Sequence, residues 1–140
     1  MSAAPVIGIV GPAVDGGGGV PAVADFPYRQ IERTGRYQLK LYSLATSHRD
    51  EYSLRWLAPR SWLRGPRTRS GIWQGRPYTH IGAAGAEFEF QRYRPRAALT
   101  RLLRQCDLIQ VVAGSPAVAL VAAQCARPVV LQVATRIVVE

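Results

Sequence analysis

Val6-Ile7-Gly8-Ile9-Val10-Gly11-Pro12-Ala13-Val14-Asp15-Gly16-Gly17-Gly18-Gly19-Val20 is the stretch whose reading decides the fold. Its apolar run Val6–Val10 has the length and branching of a buried strand in a parallel sheet. The strand leads through Gly11-Pro12 to Asp15, four glycines, and a segment from Val20 to about Thr34 that reads as a helix. Strand, glycine turn and helix start together present backbone N–H groups to an anion, which the helix dipole favours. Glycine lacks a Cβ, so the backbone there approaches a ligand closely. The stretch is neither G-x-x-x-x-G-K-[ST] nor G-x-G-x-x-G, so it carries no nucleotide or dinucleotide fingerprint. A plain surface turn is the competing reading.

Working outward, the helix holds Pro21, compatible with a first turn, and Pro27, which is expected to kink or interrupt it. Thr34-Gly35 reads as its stop. Tyr37–Leu44 alternates as a second strand, and strand-helix-strand makes a right-handed βαβ unit. Further on, Tyr78–Ile81 reads as a short strand, followed by the small-residue turn Gly82–Gly85. A helix is expected to begin at Pro95 as its N1 proline, with Ala98, Leu99, Leu102 and Leu103 on its apolar face. Asp107–Ala113 is a strand, Ala117–Cys125 a helix entered through Gly114-Ser115-Pro116, and Pro128–Val133 a last strand. The pattern predicts an α/β protein with a doubly wound parallel sheet. It stops at Arg136–Glu140 with no helix over the last strand, as expected of a domain cut from something longer.

Between the second and third strands the composition changes. Residues 46–76 hold seven arginines (Arg49, Arg55, Arg60, Arg64, Arg67, Arg69, Arg76) and all three tryptophans (Trp56, Trp62, Trp73). Such interleaving suits a membrane interface or single-stranded nucleic acid. It equally suits an insertion hairpin whose tryptophans pack back on the domain.

The 140 residues suffice for one domain with a real core, and a 48% hydrophobic share argues for a folded chain. No run approaches the ~20 apolar residues of a spanning helix. MSAAPVIGIVG lacks a basic n-region, so no secretory signal is expected. The net charge is +9, and Lys40 is the one lysine among 18 basic residues. That balance points to phosphate, nucleic acid or an anionic membrane, although arginine in place of lysine also follows from a GC-rich genome. Cys106 and Cys125 lack zinc-site spacing and read as buried, reduced thiols.

With these pieces placed, the chain resembles the N-terminal half of a GT-B glycosyltransferase of the retaining family 4. GGGGV after the first strand, a second strand ending in Ser/Thr, DLIQVVAGSPA and PVVLQVAT carry the likeness, which covers nearly all of Val6–Thr135. The resemblance implies a Rossmann-like, acceptor-side domain that passes a sugar from a nucleotide-sugar to a cell-envelope, lipid-linked or polysaccharide acceptor. Gly16, Gly17, Gly18 and Gly19 would then face the donor diphosphate, with Asp15 near the reacting sugar. Two departures stand out. Gly114-Ser115-Pro116 occupies the place where many members carry a histidine, leaving Ser115 to hydrogen-bond an acceptor hydroxyl. The C-terminal donor-binding domain, with its basic pair and E-x7-E segment, is missing, so the chain alone is expected to be inactive.

His80, Arg92, Arg94, Gly114 and Ser115 are the acceptor-binding candidates. Each has a plainer reading: a structural histidine at a strand end, an exposed charged helix entry around Glu87, Glu89, Arg92, Arg94 and Arg96, or a tight turn. His48 and Asp50 read as a solvated loop. The sequence shows no metal constellation and calls for no cofactor beyond the nucleotide-sugar donor. The expected location is cytoplasmic, with peripheral contact at the inner membrane face, and nucleic acid ranks last among partners. Two rivals remain. A dinucleotide-binding oxidoreductase would want an acid at the end of the second strand, where Leu44-Ala45-Thr46-Ser47 stands. A non-catalytic basic module for anionic membrane or nucleic acid rests on the charge and residues 46–76.

Overall fold

The computed structural model describes residues 2–16 and 19–134. Gly17 and Gly18, expected to face a diphosphate, lie outside the described residues, as do Thr135 and the terminal segment 136–140. Six strands form one sheet in the order β3-β4-β2-β1-β5-β6. They are β1 (Val6–Pro12), β2 (Gln38–Leu44), β3 (Thr68–Trp73), β4 (Arg76–Ile81), β5 (Leu108–Ala113) and β6 (Val129–Val133). All neighbours run parallel except β3, which pairs antiparallel with β4. The chain is thus α/β with a mostly parallel sheet, and the order is compatible with a Rossmann-like fold.

β1 sits in the middle because it is apolar on both faces. Val10 packs with Tyr42, Leu44, Ile81, Leu99, Leu103 and Val111 on one side of the sheet. Ile7 and Ile9 pack with Leu41, Tyr78, Ala24 and Tyr28 on the other. The helix α1 (Gly19–Thr34) covers the second face, burying Pro21, Ala24, Pro27 and Tyr28. Pro27 does not interrupt it. The ring cannot donate to the turn before it, but it lies buried, and tertiary packing outweighs the missing hydrogen bond. Arg76, at the start of β4, ties α1 down by pairing with Asp25 and stacking 4.2 Å over the Tyr28 ring.

The opposite face is covered by α4 (Ala97–Leu103), which buries Leu99, Thr100 and Leu103. The one-turn α3 (Glu89–Arg92) precedes it. A 3₁₀ segment, Pro116–Ala122, stands where an α-helix was expected. Its Val118 and Val121 lie three residues apart, the repeat of a 3₁₀ turn, and both are buried in the sheet's core. Cys106 and Cys125 are free and buried, as read from their apolar surroundings.

Residues 46–76 contain a loop, the one-turn α2 (Pro59–Trp62) and β3, so part of the expected insertion is an edge strand of the sheet. The β3–β4 hairpin turns on Gln74 and Gly75, both at positive φ. Trp73 packs against the α1-side core, whereas Trp56 and Trp62 are exposed. At the far end of β4, Gly82 is fixed by contact: a Cβ there would lie 2.0 Å from the Tyr52 carbonyl oxygen. No helix among the described residues is long and apolar enough to cross a membrane.

Arg96 is buried beneath the carboxyl ends of two strands. Its guanidinium donates to the carbonyls of Ile81 (2.7 Å), Ala45 (2.8 Å) and Arg92 (3.0 Å). Burial brings its pKa down to about 10, with the Asp50 charge opposing the fall. Replacing Arg96 by Met fills the volume but removes all three donations, leaving the Ile81 carbonyl with the Ala45 N–H at 3.0 Å. The expected loss is about 2–4 kcal/mol in a urea titration, more than an exposed arginine such as Arg101 costs.

Candidate functional site

The register lines up four residues across the sheet on the α1 face: Gly11 of β1 opposite Ser43 of β2, Ser43 opposite His80 of β4, and His80 opposite Arg69 of β3. This row lies toward the carboxyl ends of the parallel strands, beyond the reach of α1's apolar face. It is roofed by the loop after β2. Ala13, Asp15, Thr46, Asp50, Tyr52 and His80 are among the residues lining a cavity of about 290 Å³ there.

Asp15 is held from three sides. Ser43 donates to Oδ1 at 2.8 Å, while Arg69 (2.9 Å) and the Tyr78 hydroxyl (3.1 Å) donate to Oδ2. Ser43 in turn accepts from the backbone N–H of Val14 at 3.0 Å. The Tyr78 ring lies flat over β3 because residue 71 is glycine; a Cβ there would come within 2.7 Å of the ring. Burial pushes the Asp15 carboxyl up, but hydrogen bonds from Ser43, its own backbone and Tyr78, with the His80 charge, outweigh it and leave the pKa lowered. Ala13 adopts positive φ, 45°, so that the chain turns sharply after β1. That conformation costs a non-glycine residue roughly 1–2 kcal/mol. Gly16 closes the turn by donating to the Ala13 carbonyl at 2.8 Å, and Gly19 opens α1.

Asp50, read from sequence as a solvated loop residue, is the partner of His80: Nε2 lies 2.6 Å from Oδ2. The other carboxylate oxygen of Asp50 accepts from the Tyr52 N–H and the Ser53 hydroxyl. The Tyr52 ring meets the imidazole edge-on at 6.0 Å, and Arg67 and Arg69 lie over its face. His80 Nδ1 is buried and has no hydrogen-bond partner. The arrangement is therefore two anchored carboxylates, an oriented imidazole with one nitrogen unused, and an arginine, around a space of about 290 Å³, roughly ten water volumes. Proton exchange with, and hydrogen bonding to, a polyhydroxylated ligand is chemistry these groups support.

The other candidates are not brought here. Arg92 donates to the Ala86 carbonyl at 2.8 Å. Arg94 lines a separate cavity of about 440 Å³ with Gln91, Arg96 and Arg101. Ser115 caps the 3₁₀ segment by accepting from the Ala117 N–H, and Gly114 is exposed beside it. Their turn leaves β5, which adjoins β1, so it shares the carboxyl edge of the sheet with Asp15 without bonding to the Asp15 network. Among the described residues no group of three His, Cys, Asp or Glu could hold a metal ion.

Sequence reasoning missed Ser43, Tyr78, Arg69, Asp50 and Tyr52. Ser43 left a signal, as a hydroxyl among the apolar positions of β2. Arg69 and Asp50 left none, because their partners stand 54 and 30 positions away. No family model, no curated protein and no solved structure matches this chain.

A double-mutant cycle on Asp50→Ala and His80→Ala is expected to give a coupling energy of about 1–3 kcal/mol by urea denaturation; values near zero would mean the contact carries no stability. Asp15→Asn tests the lowered carboxyl. Its folded pKa lies below the ordinary 3.8, so the ionised group stabilises the fold above that value and loses its contribution as pH falls through the folded pKa. The stability gap between wild type and Asp15→Asn should be widest at neutral pH and narrow below pH ~4.

Proposed function

We propose that the chain is the acceptor-side half of a glycosyltransferase of the GT-B, family 4 type, passing a sugar from a nucleotide-sugar to a cell-envelope, lipid-linked or polysaccharide acceptor, and acting only with a donor-binding domain. The observation that carries this reading is the glycine turn between β1 and α1 in a sheet whose order reverses between β1 and β5. Open α/β sheets take ligands outside the carboxyl ends of their strands at such a reversal. The Rossmann-like assignment rests on the same order.

On this reading the backbone N–H of Gly19 and the dipole of α1 stabilise the charge that builds on the leaving diphosphate, while Gly16 shapes the turn. Asp15 acts as an anchor of the turn, since its oxygens are taken by Ser43, Arg69 and Tyr78. The crevice of Asp50, Tyr52 and His80 receives acceptor hydroxyls, and Ser115 stands ready at the β5 turn.

The test is an ¹⁵N NMR titration with UDP-glucose, GDP-mannose and NAD. Millimolar binding of a nucleotide-sugar is expected, as befits half a donor site, with amide shifts concentrated at residues 16–20 and at Gly114 and Ser115. The same shifts from NAD alone would make this a dinucleotide-binding domain. No shifts with any of the three would remove the ligand-facing role of the glycine turn.

A further inference from the structure

Away from the crevice, residues 54–64 and 84–90 form one continuous surface. A bridge between Leu54 and Ala84 joins the two segments: the Leu54 N–H donates to the Ala83 carbonyl and the Gly85 N–H to the Leu54 carbonyl, each at 2.8 Å. Gly85 is at positive φ, and its missing Cβ gives the Trp56 indole room. Trp56 meets Phe88 at 5.3 Å, and Phe88 meets Phe90 at 5.8 Å. Across the same surface, Trp62 Nε1 donates to the Arg55 carbonyl at 2.9 Å, which stands α2 against the loop before it.

What this surface displays is unusual for a water-facing one. Leu57 is 81% exposed, Leu63 93%, Phe90 61% and Trp62 58%. Large apolar side chains scattered singly are ordinary, but a contiguous group marks an interaction site. Beside it lies a cavity of about 460 Å³, among whose lining residues are Arg55, Arg60, Arg64 and Arg67, with Ser53 and Ser61. None of the four arginines is in an ion pair among the described residues. Asp50 and Glu51 also line the cavity, but Asp50 is committed to His80. The local charge is therefore positive; Arg67 donates to the Glu51 carbonyl and lies over Tyr52, while the guanidinium groups of Arg55, Arg60 and Arg64 are free for phosphate, which they grip in bidentate fashion.

We propose that this face docks the protein on an anionic lipid bilayer. Leu57, Trp62, Leu63 and Phe90 enter the boundary between headgroups and acyl chains, while Arg55, Arg60 and Arg64 receive lipid phosphate. The aliphatic residues decide between a bilayer and a nucleic acid. Stacking on bases uses free aromatic faces, yet here Trp56, Phe88 and Phe90 pack on one another, and the most exposed groups are two leucines that stack on nothing. Tryptophan at headgroup depth, leucine below it and arginine at the phosphates is the order a bilayer interface selects. Docking stands apart from sugar transfer: vesicle binding and nucleotide-sugar binding are read in separate experiments, and either can fail alone.

The test is flotation of the whole chain with vesicles of phosphatidylcholine, with and without phosphatidylglycerol, alongside a tryptophan emission scan. Wild type is expected to bind the anionic vesicles at least about tenfold more tightly than the neutral ones, to lose that margin in high salt, and to blue-shift its emission on binding. Leu57→Asp with Leu63→Asp, at positions too exposed to affect folding, should abolish flotation with an unchanged thermal melt. Arg60→Glu with Arg64→Glu should remove the preference for phosphatidylglycerol. Failure of wild type to float, or flotation indifferent to the leucine pair, would overturn the proposal. Binding of a single-stranded oligonucleotide that weakens with the arginine pair but not the leucine pair, without vesicle binding, would replace it with a nucleic-acid surface.

Discussion

The carboxyl edge of this sheet depends on one buried cation. Parallel strands end with their carbonyls pointing into whatever follows, and here β2 and β4 end side by side with the carbonyls of Ala45 and Ile81 turned inward. Water is excluded, so a donor must come from the protein. Arg96 supplies two from one guanidinium and reaches a third carbonyl at Arg92. A lysine could not span them with fixed geometry, because its ammonium is a point charge on a flexible stem. The Asp50 charge opposes the desolvation of Arg96 and is itself fixed by His80, so the cap of the strands and the crevice above them form one electrostatic unit.

That unit explains why the crevice holds its shape with little secondary structure around it. The loop after β2 is secured by Asp50 on His80, by the Tyr52 carbonyl accepting from Arg67 at 2.7 Å, and by the close approach of Tyr52 to Gly82. Two of these anchors lie at the end of β4 and the third just before β3. The arginines that give the chain its high net charge divide accordingly. Arg69, Arg76 and Arg96 are spent inside the fold, while those on and around α2 remain available to a partner.

Much of this fold was legible in the sequence, because period and punctuation carried it. β2, β5 and β6 fall within a residue of where apolar alternation and runs put them, and β1 starts at Val6 as read but runs two residues past Val10. Where the reading differed, tertiary packing decided. Pro27 sits inside a helix because its ring is worth more buried than its N–H is missed. The segment after Ser115 is 3₁₀ because two valines three apart are what the sheet can bury. β3 escaped notice because Gln-Gly is a weaker hairpin signal than Asn-Gly, though both central residues take the positive φ such a turn demands. The site was less legible. The glycine turn announces itself, whereas the Asp50–His80 and Arg69–Asp15 pairs exist only once strands distant in sequence are laid side by side.

β1 is flanked by β2, which follows it closely, and by β5, whose first contact with it is made across 101 positions, where Asp107 accepts from the Val6 N–H. During synthesis this central strand therefore waits, with one edge unpaired, until β5, about a hundred residues later, has emerged. Pairings this distant slow the search for the native state and lengthen the life of half-built sheets. Whatever shields that open edge during the interval, such as a chaperone, is expected to favour soluble product over association through unpaired strands.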